Sequence, residues 1–217
     1  MSASIDVYFS FRSPYSYLAA PQLLKLAADF DVDVSLRPVL PLAIREPDFF
    51  SPDNIKRARY IMIDFPRRCE MLGMACAWPS PDPIVQDFGT FKIADEQPYI
   101  YRLTELGIEA NNQGRGIEFA YEASQLIFGG TKDWDQDDHL AKACKRAGLD
   151  LSAMETVRAG KDFSADIEAN QAALEAAGHW GVPTCVYKGA PFFGEDRIET
   201  LRWACLLYTA PSPRDRG

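Results

Sequence analysis

The first forty residues alternate between apolar and polar positions in a way that predicts two strands joined by a helix. The segment from Ile5 to Phe9 alternates with a period of two, which indicates a strand over about residues 4–10. A helical run from about Pro14 to Asp29 follows, and residues 32–37 alternate again as a second strand. Two strands joined by a helix form a βαβ unit, which is most often right-handed with parallel strands.

The middle of the chain has the period of helices. Residues 38–54 are rich in proline and aspartate and are predicted to be a loop, and the three prolines within residues 77–83 exclude regular helix there. We expect Asp133 and Asp135 to cap a helix near them and Gly148 to end it. The apolar spacing predicts helices over about residues 54–72, 91–107, 112–127, 135–147, 151–158 and 163–177.

Strand patterning returns near the C-terminus. Residues 183–187 are predicted to form a strand and residues 191–193 a short partner strand, and a helix follows over residues 198–203. The predicted order is therefore βαβ, a helical insert, then ββα.

These elements divide the chain into parts. The α/β domain takes residues 1–45 and 178–204, and the helical insertion takes residues 46–177. Residues 205–217 are assigned to a non-native or disordered tail, because the last residues have no periodicity and resemble a read-through of cloning origin.

Composition narrows the function classes. The chain has 217 residues, of which 47% are hydrophobic and 25% charged, as in ordinary globular proteins. Its net charge is −8 and its acidic residues are spread along the chain, which argues against a nucleic-acid partner, since neutralising a nucleic-acid backbone requires clustered lysine and arginine. No apolar stretch approaches the roughly 20 residues of a membrane span, and no signal peptide is visible. We therefore expect a cytoplasmic protein with no membrane partner.

The five cysteines point to no metal site. No two of them have the two-residue spacing of common ligand pairs, and the two histidines lie far from Cys69 and Cys76 in the sequence. We expect reduced, mostly buried thiols.

The stretch Ser13 to Ser16 carries the candidate chemistry. A thioredoxin-like redox protein would place Cys-x-x-Cys there, but here both cysteine positions hold serine. Any sulfur used at this corner must therefore come from outside the protein. Ser13 stands at a helix N-terminus, where an anion is favoured, and its hydroxyl can donate a hydrogen bond to a bound thiolate. The alternative, favoured by the local sequence alone, is that Ser13 is only a helix cap.

Two later segments change this balance. In thioredoxin-like folds a cis-proline faces the active corner, and Pro183 would expose the Val182 backbone for strand-type pairing with a thiol peptide. An ordinary trans proline is the alternative. In the segment from Phe193 to Arg197, Asp196 can pair with an ammonium group and Arg197 with a carboxylate, which suits the γ-glutamyl end of glutathione. The alternative there is a capped helix with surface charges.

Taken in order and spacing, these three motifs resemble the 2-hydroxychromene-2-carboxylate isomerase family, a sister of the kappa-class glutathione transferases in the DsbA-like thioredoxin superfamily. The resemblance covers about residues 5–204. It implies a thioredoxin-like βαβ…ββα domain with a large all-helical insertion, in the α/β class. It also implies a glutathione-dependent cis–trans isomerase of aromatic catabolism. Glutathione would be the cofactor, a small aromatic carboxylate the substrate, and a homodimer the assembly.

The resemblance also assigns roles to residues of this sequence. Ser13 matches the catalytic serine beside the glutathione sulfur, and Val182 with Pro183 matches the backbone clamp. The motif containing Glu195, Asp196 and Arg197 matches the γ-glutamyl pocket.

Three further residues have open roles. Arg57 stands near the position of a lysine in kappa-class enzymes, and it either binds a carboxylate or is a solvated helix charge. Trp78 either lines a wall for an aromatic substrate or packs in the core, and packing is favoured. Trp180 is interpreted as packing, together with the histidine before it.

Three other functions are compatible with the fold. A kappa-like glutathione transferase would use the same cofactor site. A disulfide oxidoreductase of the DsbA type is disfavoured because both active-corner cysteines are replaced. A non-catalytic module that binds glutathione or a peptide stays open, because sequence alone does not separate it from an enzyme.

Overall fold

The computed structural model describes residues 3–46, 48–49, 54–87, 90 and 92–209. Within these residues four strands form one sheet in the order β2-β1-β3-β4. The strands are β1 (Ala3–Phe9), β2 (Val32–Pro38), β3 (Thr184–Tyr187) and β4 (Ala190–Phe193). β1 and β2 are parallel and joined by helix α1 (Pro14–Asp29), whereas β3 is antiparallel to both β1 and β4. The predicted βαβ and ββ units are confirmed.

Helices occupy most of the chain between β2 and β3. They are α2 (Leu42–Arg45), α3 (Ile55–Leu72), α4 (Pro98–Asn112), α5 (Gly116–Phe128), α6 (His139–Arg146), α7 (Leu151–Gly160) and α8 (Ser164–Ala176). After β4 a short 3-10 turn (Glu195–Arg197) leads into α9 (Ile198–Thr209). None of the helices in the described ranges combines the length and the apolar character that crossing a membrane requires.

Three predicted helices begin four or more residues later than expected. The helix expected from residue 112 begins at Gly116, because Asn112 is the last residue of α4. The helix expected from residue 91 begins at Pro98, because the side chain of Gln97 holds the preceding segment as a loop through hydrogen bonds to both backbone groups of Val85. The helix expected from residue 135 begins at His139.

The caps predicted for the helix that begins at His139 differ in outcome. Asp133 and Asp135 do not cap it, because Trp134 between them is buried and its indole N–H donates to the Pro81 carbonyl at 2.7 Å. Gly148, with a φ of +78°, ends the helix as expected.

The last helix also differs from expectation. α9 continues to Thr209, so residues 205–209 are helical and the boundary at residue 204 is too early. Cys205 is fully buried, on the same face as Leu201 one turn earlier. Residues 210–217 lie outside the described part of the chain.

The core fixes the corner where β1 ends. The ring of Phe11 packs edge to face against Phe9 and Phe119, with ring centroids 5.3 Å and 5.5 Å away. α4 approaches this cluster at Gly107, where a Cβ atom would lie only 2.8 Å from the Phe11 ring. The glycine therefore permits the close contact that supports the chain just before Ser13.

Candidate functional site

Ser13 is both a helix cap and a member of a cleft. Its Oγ accepts a hydrogen bond from the Ser16 N–H at 3.2 Å, which caps α1. The same hydroxyl donates to the Val182 carbonyl at 3.4 Å, across 169 positions of sequence. The two interpretations of Ser13 are thus compatible, because one side chain does both.

The segment before β3 faces this corner. The Val182–Pro183 peptide bond is cis. Pro183 is buried, and its carbonyl accepts from the Gly194 N–H at 2.9 Å. This bond ties the start of β3 to the segment after β4, and so brings the second and third motifs together.

A cleft of about 1620 Å³ opens over the corner. It is lined by residues from all three motifs and from α3. Of the residues assigned to the site by sequence, it includes Ser13, Arg57, Val182, Glu195, Asp196 and Arg197. Pro183 is buried and is not part of the lining. Among the described residues that line the cleft, none is a cysteine.

Glu195 lies deeper than the motif suggests. It is only 4% exposed, and one carboxylate oxygen accepts a hydrogen bond from the Nε of Arg68 on α3. That bond raises the pKa of the Arg68 guanidinium. The other oxygen, Oε2, is buried and has no hydrogen-bond partner. Glu195 therefore lines the cleft as one half of an ion pair, and Arg68 on α3 supplies the opposite charge.

Asp196 and Arg197 stand at the mouth of the cleft. Both are exposed, and they form an ion pair with each other at 3.1 Å. Exposed pairs of this kind contribute little to stability, so both side chains are available to a ligand at small cost.

Arg57 and Trp180 form a second edge of the cleft, besides the one with Asp196 and Arg197, and Arg57 carries its charge. The guanidinium of Arg57 lies 5.5 Å above the centre of the Trp180 ring and 3.5 Å from the Glu46 carboxylate. Trp180, which is expected to pack, does stack on the His179 ring at 5.3 Å, but it is 46% exposed and also lines the cleft.

His179 supports this edge. Its ring stacks on Trp180 and, at 3.9 Å, on Phe193, while its Nδ1 accepts from the Gly181 N–H at 2.9 Å. Burial lowers the pKa of His179, which keeps the ring neutral and Nδ1 free to accept.

Trp78 also lies outside the core, contrary to the favoured interpretation. It is 46% exposed, lines the cleft, and packs edge to face on Phe65 at 5.1 Å. The proline segment beyond it is held to the corner by Arg12, whose guanidinium makes two 2.9 Å hydrogen bonds with Asp82.

Of the polar stripe that α3 presents to the cleft, sequence reasoning identified Arg57 but missed Asp64 and Arg68. Arg57, Asp64 and Arg68 all line the cleft, and their spacing of seven and then four residues places them on one helix face. This periodicity was a usable signal. Tyr15, inside the first motif, was missed as well, and its hydroxyl donates to Asp64 at 2.8 Å.

Residues 4–205 match the family of DSBA-like thioredoxin domains. The chain belongs to this family. It is 25% identical to a 2-hydroxychromene-2-carboxylate isomerase of Sphingobium xenophagum over 206 residues, which is 93% of this chain and 97% of that protein. The resemblance inferred from the three motifs is thus confirmed.

Solved structures confirm the α/β, thioredoxin-like fold of this DsbA-like chain. A 2-hydroxychromene-2-carboxylate isomerase structure matches 94% of this chain and 97% of its own, with a TM-score of 0.68 and 21% identity. A probable DsbA oxidoreductase from Streptomyces coelicolor matches 97% of this chain and 92% of its own, with a TM-score of 0.64 and 16% identity. Family membership and the similarity to an isomerase support an enzyme of the isomerase or thiol-oxidoreductase type.

Proposed function

We propose that this DsbA-like protein is a glutathione-dependent cis–trans isomerase of an aromatic carboxylate of the 2-hydroxychromene-2-carboxylate kind. One observation carries the proposal. The Ser13 hydroxyl meets the Val182 carbonyl at the cis-proline, in a cleft whose described lining holds no cysteine. This arrangement supports thiol chemistry at the corner with a thiol that a ligand supplies.

The same observation disfavours disulfide exchange. That reaction requires a protein thiolate that attacks a disulfide. Four of the five free cysteines are buried, and burial raises the pKa of Cys69 to about 12 and of Cys144 to about 11. Cys76 is exposed, but it does not line the cleft.

The polar groups of the cleft fit glutathione. Its γ-glutamyl end carries an ammonium and a carboxylate group, which match Asp196 and Arg197 at the mouth. Its glycine carboxylate, or that of the substrate, matches Arg57 at the other charged edge.

When bound, glutathione would supply a thiolate that adds reversibly to the conjugated double bond and so permits rotation. For this the Ser13 hydroxyl would turn its single proton from the Val182 carbonyl to the sulfur and so stabilise the negative charge, aided by the N-terminus of α1. The Val182 backbone pairs with the peptide backbone and fixes the position of the sulfur. Trp78 and Trp180 provide apolar walls for an aromatic ring.

The proposal is tested by assaying isomerisation of 2-hydroxychromene-2-carboxylate with glutathione, with S-methylglutathione and with neither. We expect turnover only with glutathione, and inhibition by S-methylglutathione, which keeps the peptide but lacks the free thiol. Equal rates without glutathione would contradict the proposal. A stable conjugate would indicate a kappa-like transferase instead, and tight glutathione binding without turnover would indicate a binding module. The cytoplasmic location and the homodimer stay predictions.

A further inference from the structure

Tyr15 and Asp64 form a hydrogen-bonded pair inside the cleft that the proposed thiol chemistry does not use. Tyr15 is the second residue of α1, two positions after Ser13, and Asp64 lies on the cleft face of α3. The Tyr15 hydroxyl donates to Asp64 Oδ2 at 2.8 Å, and both side chains are half-buried.

The surroundings keep Tyr15 protonated. Its pKa is raised, first by burial and then by the hydrogen bond to Asp64. Tyr60 on α3 and Glu195 beside α9 act in the same direction. The only proton of the Tyr15 hydroxyl is therefore committed to Asp64, and its oxygen is left as an acceptor for a hydroxyl group of a ligand.

A 2-hydroxychromene-2-carboxylate requires an acceptor for the proton of its hydroxyl group before its double bond can rotate. The molecule is a cyclic hemiketal, and its ring locks the double bond in the cis form. To open, the hydroxyl on carbon 2 must lose a proton while the bond from carbon 2 to the ring oxygen breaks. The ring oxygen must then gain a proton to become a phenol. The two transfers balance, so one acid–base pair completes the step with no other reactant.

We propose that Tyr15 and Asp64 are the acid–base pair that opens this hemiketal ring, an inference that rests on the proposed function. The substrate hydroxyl donates its proton to the Tyr15 oxygen as the Tyr15 proton passes to Asp64 Oδ2. The carbon–oxygen bond breaks, giving a 2-oxo acid and a phenolate. The proton then returns from Asp64 through Tyr15 to the phenolate, and the pair is restored.

The competing explanation is that the hydrogen bond only ties α1 to α3. The test follows ring opening in the glutathione-free protein, by NMR exchange between the closed hemiketal and the open 2-oxo acid. We expect Tyr15→Phe and Asp64→Asn each to lower the protein-catalysed exchange rate about 10²-fold. Asp64→Asn keeps an oxygen that accepts the Tyr15 hydrogen bond, and Tyr101→Phe, outside the cleft, serves as the matched control. A wild-type protein that does not accelerate exchange, or variants that match it, would overturn the inference.

A second assay separates chemistry from structure. With glutathione present, isomerisation is compared for the chromene and for a cis open-chain analogue without the phenol, which cannot close. We expect Tyr15→Phe to lower the ratio of the two rates about 10²-fold, whereas an equal loss on both substrates would show a structural role. If the wild-type protein isomerises neither compound, the proposed function fails, and the exchange experiment still decides the role of the pair.

Discussion

At the scale of residues, the account depends on one hydroxyl with two partners. Ser13 accepts from the backbone of its own helix and donates across the cleft to Val182. Its residue type and place in the helix are visible in the sequence, but the second partner is not, because it is 169 positions away. Only the resemblance to a known family linked the two segments before the fold was known.

Replacing Ser13 tests its role at the sulfur. We expect Ser13→Ala to raise the pKa of the thiol of bound glutathione by about 1 unit, since a hydrogen bond to a charged group is worth about 1.5–3 kcal/mol. The ultraviolet absorbance of the thiolate, followed across pH, measures this. Ser16→Ala is the matched control, because Ser16 is buried and does not line the cleft. Coincident titrations for Ser13→Ala and the wild-type protein would refute the assignment.

The pair between Arg68 and Glu195 is tested by a double-mutant cycle. Arg68→Met leaves the buried Glu195 carboxylate without its partner, so we expect a loss of about 2 kcal/mol in the free energy of unfolding. Adding Glu195→Gln removes the unpaired charge and should restore part of that loss. Urea unfolding of the four proteins gives the coupling energy. Additive losses would mean that the two side chains do not interact.

His179 should make stability depend on pH. Its pKa is lowered in the folded state, so the unfolded chain binds more protons as pH falls below about 6.5, and the free energy of unfolding decreases. We expect His179→Asn, which retains an acceptor for the Gly181 N–H, to lose less stability than the wild-type protein between about pH 7 and about pH 5. Urea unfolding at each pH measures this, with His139→Asn as control. Identical slopes for His179→Asn and the wild-type protein would argue against it.

At the scale of elements, periodicity located the strands and most helices, and its errors have identifiable causes. Side-chain hydrogen bonds of Gln97 and Trp134 hold loops where apolar spacing suggested helix. Core packing is the favoured sequence interpretation of Trp78, but this side chain is 46% exposed and lies along the open cleft. A single sequence does not reveal either kind of error, because each depends on which distant residues lie next to the segment in the fold.

The contact between α4 and the end of β1 gives a prediction about packing. Gly107→Ala would place a Cβ atom 2.8 Å from the fully buried ring of Phe11, which has little room to move. We expect a loss of about 1–3 kcal/mol in the free energy of unfolding. Gly160→Ala, at the end of α7 with no atom within 4 Å of the new Cβ, should be neutral or slightly stabilising. Thermal unfolding measures both, and equal melting temperatures would disprove the packing constraint.

At the scale of the whole molecule, the cleft joins three separated stretches of the chain. The corner at residues 12–16, the stripe along α3, and residues 180–197 converge around it. Motifs predicted the first and third stretches. The stripe on α3 was represented only by Arg57, because partners such as Arg68 and Glu195 are defined by a contact across 127 positions. The sequence therefore predicted the backbone segments that form the site better than the ion pairs between them.

The central claim is that this site holds the sulfur of glutathione as a thiolate beside Ser13. The most direct test is to titrate the thiol of glutathione bound to the wild-type protein by its ultraviolet absorbance. We predict a pKa at least about 1 unit below that of free glutathione, as expected of a thiol at a helix N-terminus with a hydroxyl donor. Bound glutathione whose thiol titrates like the free peptide, or no binding at millimolar concentration, would contradict the account.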